Sequence, residues 1–193
     1  MRYDPEHKQR TRQKVLDIAA VRLRTHGVEE SGVATIMELA GLTHGGFYAH
    51  FASKNALVVA AIERMFEQVT GRIDAGLERY GQAKTFALFV DRYLHTSHRD
   101  DASMGCPIAA LAGEFGRLPR PAREAFNRGV ERHIEAIANM LPLKKDRLRV
   151  DLATSIMAEM VGALLLARCA THEGASKRIL ERARRLVKAR AAE

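Results

Sequence analysis

Apolar residues recur at helical spacing along almost the whole chain, and no stretch alternates with period two over a useful length, so the pattern predicts helices and no strand. The first helix opens at Asp4-Pro5, an N-cap followed by proline at the first helical position, and runs to residue 26, where Gly27 ends it. Its inner stripe is Val15, Leu16, Ala19, Ala20 and Leu23. Residues 34–40 form a short second helix with Ile36, Leu39 and Ala40 on one face. Gly41 terminates it in a left-handed conformation, and Leu42 follows as an apolar plug. Thr43 N-caps a third short helix in which Phe47 and Phe51 lie four apart on one side, while His44, Tyr48 and His50 project outward. Ser53 caps a long rod carrying Val58, Ile62, Met65, Val69, Ile73 and Leu77, which ends near Gly81.

Further helices are predicted over 83–98, 107–116 and 121–141, with a loop through Asp100, Asp101 and Gly105 and a break at 142–146. Residues 151–172 are apolar almost all round, with Leu152, Ile156, Met160 and Ala163 on one line and Met157, Val161 and Leu164 on the next, more than one subunit readily buries. Residues 176–190 carry a narrower stripe of Ile179, Leu180, Ala183, Leu186 and Val187 with a basic opposite face. The expected fold is all-α: an N-terminal three-helix, helix-turn-helix domain over residues 1–54 and a C-terminal helical domain over 55–193. Gly45 and Gly46 are poor helix formers, so propensity does not explain them. Their missing side chains would let that helix approach a DNA duplex closely.

Composition refines this picture. A length of 193 residues, 47% of them hydrophobic, suffices for a sizeable core. The formal charge of +8 suggests a polyanionic partner, yet residues 1–54 hold eight Lys and Arg against six Asp and Glu, a net of only +2. Beyond Ser176, seven bases face two acids, so most of the excess lies far from the helix-turn-helix. Lys8, Arg10, Arg12 and Lys14 form a basic arm that reads equally well as a solvated face or as a phosphate contact. The longest apolar run, residues 160–167, is short of a bilayer span, and no secretory signal is evident, so a cytoplasmic protein is expected.

Thr43-His44-Gly45-Gly46-Phe47-Tyr48-Ala49-His50-Phe51-Ala52-Ser53-Lys54, preceded by Gly41-Leu42, resembles the recognition signature of the TetR/AcrR family of bacterial transcriptional regulators, in a subgroup reading GLTHGGFYxHFxSK. Thr11-Arg12 through Ala19-Ala20 and the helix-ending Gly27 also look like that family's first helix. The chain departs from the pattern at Gly32, where a capping hydroxyl is common and Ser31 takes over the cap, at His44, where Lys is frequent, and at Asn55, where an acid is usual. The resemblance implies that His44, Gly45 and Gly46 meet base edges while Tyr48, His50 and Lys54 meet phosphates, with Thr43 opening the helix. It implies a homodimer on a palindromic operator, docked through a pair of C-terminal helices that includes Ile156, Met160, Leu164, Ile179, Ala183 and Leu186. It further implies a repressor released by a small molecule held among the middle helices, where Phe89, Tyr93, Cys106, Leu111, Phe115 and Phe126 supply apolar and aromatic surface.

Catalytic chemistry finds no support: GxSxG, Walker, dinucleotide and HExxH patterns are absent, and the eight histidines lack companions at metal-ligand spacing, so neither metal nor cofactor is expected. Two rival readings stay open, a nucleoid-type protein that coats DNA without sequence preference, and a sensor of electrophiles or oxidants built on Cys106. Proline at residue 107 places Cys106 at a helix N-cap, where backbone amides lower a thiol pKa; the competing reading is a small buried filler. Cys169, amid the apolar helix, is expected to be inert under both.

Overall fold

The computed structural model describes residues 5–143 and 146–191, which contain nine α-helices, two 3₁₀ segments and no strand. The helices are α1 (Pro5–His26), α2 (Val33–Leu39), α3 (Lys54–Tyr80), α4 (Gln82–Tyr93), α5 (Thr96–Asp100), α6 (Pro107–Leu111), α7 (Arg120–Ala138), α8 (Asp146–Cys169) and α9 (Glu173–Arg190). The 3₁₀ segments are His44–Ala49 and Ala112–Arg117. The expected cap at Asp4 and the Lys144-Lys145 part of the predicted break lie outside the described residues.

Gly27, Gly41 and Gly81 end α1, the α2 turn and α3 with φ of 74°, 71° and 72°, values that cost an L side chain about 1 kcal/mol or more. Ser53 Oγ accepts from the Ala56 amide at 3.1 Å and so caps α3 as the sequence predicts. Elsewhere the boundaries shift. The predicted helix over 83–98 breaks at Leu94, whose ψ of 44° leaves the helical range, and His95 Nδ1 accepts from the Ser97 amide to restart it as α5. The predicted helix over 107–116 is α-helical only to Leu111 and then tightens to 3₁₀. Helix α8 begins five residues earlier than its apolar run, and α9 begins at Glu173. In α2 the buried face is Ile36, Met37 and Ala40, whereas Leu39 is 55% exposed; the seven-residue helix turns Met37 inward in its place. Ser31 does not cap α2, because its hydroxyl donates instead to the Gly27 carbonyl.

The buried side chains form two clusters, and α3 runs through both. The first joins the α1 stripe, α2, Phe47 and Phe51 to Leu57, Ile62, Met65 and Phe66 of α3. Leu111, Leu118, Ala122 and Phe126 from α6 to α7 belong to the same cluster, so the N-terminal core is closed by residues far along the chain. At the α3–α7 crossing Gly129 lets the helices meet, since a Cβ there would strike the Phe66 ring, which packs edge-on to Phe126 at 5.5 Å. The second cluster packs Ile73, Phe86, Val90 and Tyr93 against α7, α8 and α9. Residues 147–169 of α8 are long and apolar enough to cross a membrane by length and composition, against the expectation of no such span from the longest uninterrupted apolar run, residues 160–167. Here Ala153, Ile156, Met160 and Leu164 of that helix are fully buried against α7 and α9, and Arg168 donates to the carbonyls of His98 and Arg99.

Candidate nucleic-acid interface and effector cavity

The third element of the helix-turn-helix is a 3₁₀ segment rather than the α-helix expected from spacing. Two adjacent glycines give it little α propensity, and short 3₁₀ turns tolerate such sequences. The Thr43 hydroxyl makes no capping bond; the turn closes through backbone alone, with the Gly46 amide donating to the Thr43 carbonyl at 3.0 Å. Phe47 and Phe51 still point inward, buried and stacked with centroids 5.7 Å apart. The opposite side presents Thr43, His44, Gly45 and Tyr48 to solvent, with Gly46 and His50 half-buried. A Cβ at Gly45 would meet nothing within 4 Å, one at Gly46 would make only ordinary contact, and neither has positive φ. Neither the packing nor the backbone of this chain therefore requires glycine at these positions.

The α1 basic arm divides on the structure. Arg10 pairs with Glu6 one turn away, whereas the Arg12 guanidinium lies over the Phe51 ring at 5.0 Å, against the recognition segment. Burial, together with Lys8 and Arg12 nearby, lowers the pKa of His50, so that ring is neutral at physiological pH and its Nδ1 is buried without a partner. The cations beside this segment are thus Lys8, Arg12 and exposed Lys54, whose Nζ reaches the Glu29 carbonyl at 3.5 Å. Sequence alone does not single out Lys8 and Arg12, because about two turns of α1 offer four bases with equal claim.

Two long-range contacts tie α1 to the rest of the molecule. Arg24, 4% exposed, donates to the Met65 carbonyl of α3 at 3.0 Å and to the Ser103 carbonyl in the α5–α6 turn at 3.4 Å. Burial and the charge of Arg72 pull its pKa down to about 10, still well above neutrality. Glu114 accepts from the Val28 amide at 2.9 Å.

Below the α5–α6 turn lies a cavity of about 330 Å³, between α3, α4 and α7. Phe89, Tyr93 and Cys106 line it as the sequence suggested. Leu111, Phe115 and Phe126 do not, because α6, the 3₁₀ turn after it and the first half of α7 direct them, in that order, into the N-terminal cluster. Arg72, Arg92, His98 and His133 also stand at this wall, which periodicity does not reveal, since single polar residues on helices otherwise read as solvated faces. Cys106 occupies the N-cap of α6 with 5% exposure, its amide donating to His98 Nε2 at 3.1 Å. Burial pushes its thiol up, outweighing the Tyr93 hydroxyl, backbone amides and Arg24 that act in the other direction, which reverses the lowering expected of an N-cap. Cys169, at the end of α8, is exposed. Among the described residues no group of three or more His, Cys, Asp or Glu is placed to hold a metal ion.

The expected docking residues also redistribute. Ile156, Met160 and Leu164 are fully buried and Ala183 nearly so within their own protomer, with Ile179 half-buried. Of the six, only Leu186 is exposed, at 54%, alongside Leu165 and Leu166 of α8. Leu148 and Val150 near the start of α8 are exposed as well, so this helix pair leaves five large apolar side chains uncovered among the described residues.

Residues 15–61 match the family model for bacterial regulatory proteins of the tetR family, and residues 83–186 match that for the tetracyclin repressor-like C-terminal domain. An uncharacterized HTH-type transcriptional regulator of Mycobacterium tuberculosis is 28% identical over 168 residues, covering 81% of this chain and 84% of the relative. The HTH-type transcriptional regulator TtgR of Pseudomonas putida is 36% identical over 67 residues, 35% of this chain and 32% of that one. Among solved structures, a TetR transcriptional regulator from Chloroflexus aurantiacus superposes with a TM-score of 0.77 at 27% identity, covering 97% of each chain. Reduced NemR of E. coli superposes at 0.74 with 23% identity, covering 92% of this chain and 95% of that one, a likeness of fold.

Proposed function

The chain belongs to the TetR family of bacterial regulatory proteins and is a helix-turn-helix transcriptional regulator, and from that premise we propose that it is a homodimeric, cytoplasmic repressor that binds a palindromic operator and is released by a small molecule. Residues 1–54 supply the DNA reader, and residues 55–193 supply the effector and docking surfaces. The observation that carries the operator reading is the exposed face of His44–Ala49. Gly45 has open space around it and no backbone need for glycine, so its missing side chain serves an approach from outside. His44, Gly45 and Gly46 meet base edges, and Tyr48 and Lys54 meet phosphates with Lys8 and Arg12 added. His50, neutral and half-buried, contributes at most one N–H donor. The GLTHGGFYxHFxSK signature is read as the mark of a subgroup.

Release follows from the connections of α3 and α1. The cavity touches Val69, Arg72 and Ile73 of α3, the rod whose first turn carries Lys54, and it touches Met104, Gly105 and Cys106 beside the turn that Arg24 holds. A ligand that displaces either wall moves the reading heads of a dimer apart or together, and half-site spacing is fixed by DNA geometry. Selection of bound sequences from a random DNA pool, followed by footprinting, tests the reading. An enriched inverted repeat is expected; binding with no sequence preference would instead establish the nucleoid-type reading.

A further inference from the structure

The cavity has an apolar wall of Val69, Ile73, Leu88 and Phe89 and a cationic one. Arg72 is half-buried and gives one N–H to the Met104 carbonyl at 2.9 Å; Arg92 stands exposed at the rim and makes no hydrogen bond or ion pair among the described residues. The two guanidiniums are close enough that Arg92, after burial, lowers the pKa of Arg72. The charged group of opposite sign on this wall, Asp101, is already engaged by the Ser103 amide at 2.8 Å. His98 and His133 are held neutral, His133 by burial and by Arg72, and His98 by burial and by Arg168, Arg92 and Arg72. Two guanidiniums on one wall, one half-buried and the other without a partner among the described residues, set up a positive potential that an anion between them would relieve.

A second observation is independent of charge. Among the described residues, Thr85 Oγ1 and His133 Nδ1 are buried polar atoms without hydrogen-bond partners, and both side chains line this cavity while being 5% and 1% exposed. Buried polar atoms are ordinarily satisfied, and these two orphaned atoms belong to residues of the cavity wall.

Resting on the reading of this protein as effector-responsive, we infer that the cavity takes a small apolar organic monoanion, a carboxylate whose head lies between Arg72 and Arg92 and whose aromatic or branched body packs on Ile73, Leu88 and Phe89 within reach of Thr85 and His133. The planar fork of a guanidinium matches a carboxylate bidentately, and the apolar wall disfavours a bare inorganic anion. A volume near the low end of ligand pockets selects a compact molecule.

The test measures binding of 4-phenylbutyrate, its neutral amide 4-phenylbutyramide and inorganic phosphate to the full chain by calorimetry, and operator release by anisotropy. Expected are a carboxylate at least tenfold tighter than the amide, no phosphate binding, and loss of that preference in Arg72→Met and Arg92→Met, with Arg72→Lys intermediate. Exposed Arg92 can be replaced without disturbing the core, so one variant stays informative even if Arg72→Met unfolds. Equal affinity for amide and carboxylate, a preference unchanged in both arginine variants, phosphate binding as tight as the carboxylate, or no binding of any probe would overturn the inference. Release of operator by the amide as readily as by the carboxylate overturns the anion site while leaving the effector reading intact. Arginine-dependent carboxylate binding that leaves operator affinity untouched supports the anion site and removes the effector reading.

Discussion

Glu114 Oε2 accepts a hydrogen bond from the Val28 amide at 2.9 Å, joining the 3₁₀ turn after α6 to the end of α1 across 86 positions of sequence. Gly27, immediately before, has φ of 74°, and a Cβ there would collide with the Glu114 carboxylate. The carboxylate thus replaces a helix-end partner that the chain cannot supply locally, and it does so from the half of the molecule that holds the cavity.

Gly27→Ala combines a disfavoured φ with displacement of Glu114, and should cost about 2 kcal/mol or more. Glu114→Ala leaves the turn unstrained and removes only the acceptor. Its signature is faster hydrogen exchange at the Val28 amide, by about tenfold for a loss near 1.4 kcal/mol. An unchanged exchange rate would show that the bond carries no stability.

Gly45→Leu places a side chain in open space, so melting temperature and helical content stay unchanged while specific operator binding disappears. Lys54→Ala keeps sequence preference but deletes a cation from each subunit, flattening the slope of log affinity against log salt by roughly 2 units in a dimer. Normal operator affinity in Gly45→Leu, or an unaltered slope in Lys54→Ala, would remove that residue from the interface.

Leu166 is 63% exposed and Leu164 fully buried, two positions apart on α8. Leu166→Glu should yield folded monomers in sedimentation, because the charge meets only a partner's surface. Leu164→Glu should instead destabilise the protomer itself by several kcal/mol, since it buries an unpaired carboxylate. A stable dimer of Leu166→Glu would place the docking face elsewhere.

His133 sits in the cavity wall with its pKa depressed to about 4 from the ordinary 6.5, by burial first and Arg72 second. The folded state resists a proton that the unfolded chain accepts, so this group's contribution is complete above about pH 6.5 and is lost as pH falls from there to about 4. The slope reaches at most about 1.4 kcal/mol per pH unit in that window. Denaturation of His133→Gln across pH 4–8 should show a flatter acid limb; an identical limb would mean that His133 titrates normally.

Cys106, with its thiol pushed up by burial, should alkylate more slowly at neutral pH than a free peptide cysteine. Cys106→Ser should leave effector-driven operator release in place. Rapid labelling that vanishes in Cys106→Ser together with release would restore the thiol-sensor reading.

Helix content, the α1 stripe, the glycines that end α1, α2 and α3, and the Ser53 cap were all legible in the chain, because each depends on residues within a turn or two of one another. Spacing also placed Phe47 and Phe51 together on the inner side, although the glycine pair made the segment 3₁₀. What periodicity cannot tell is which neighbour covers an apolar face. Ile156, Met160 and Leu164 looked like surplus hydrophobicity awaiting a second subunit, yet α7 and α9 cover them, and the exposed leucines lie beside them. The same indeterminacy sent Leu111 and Phe126 to the N-terminal cluster, while Phe89 and Tyr93 stayed at the cavity. Polar residues carry no periodic signal at all, so Arg72, Arg92 and His133 gained meaning only when α3, α4 and α7 were brought together. Local sequence determined the elements and their ends; tertiary packing alone decided which side chains share a wall, because burial is a property of the surfaces that meet and not of the residue that is buried.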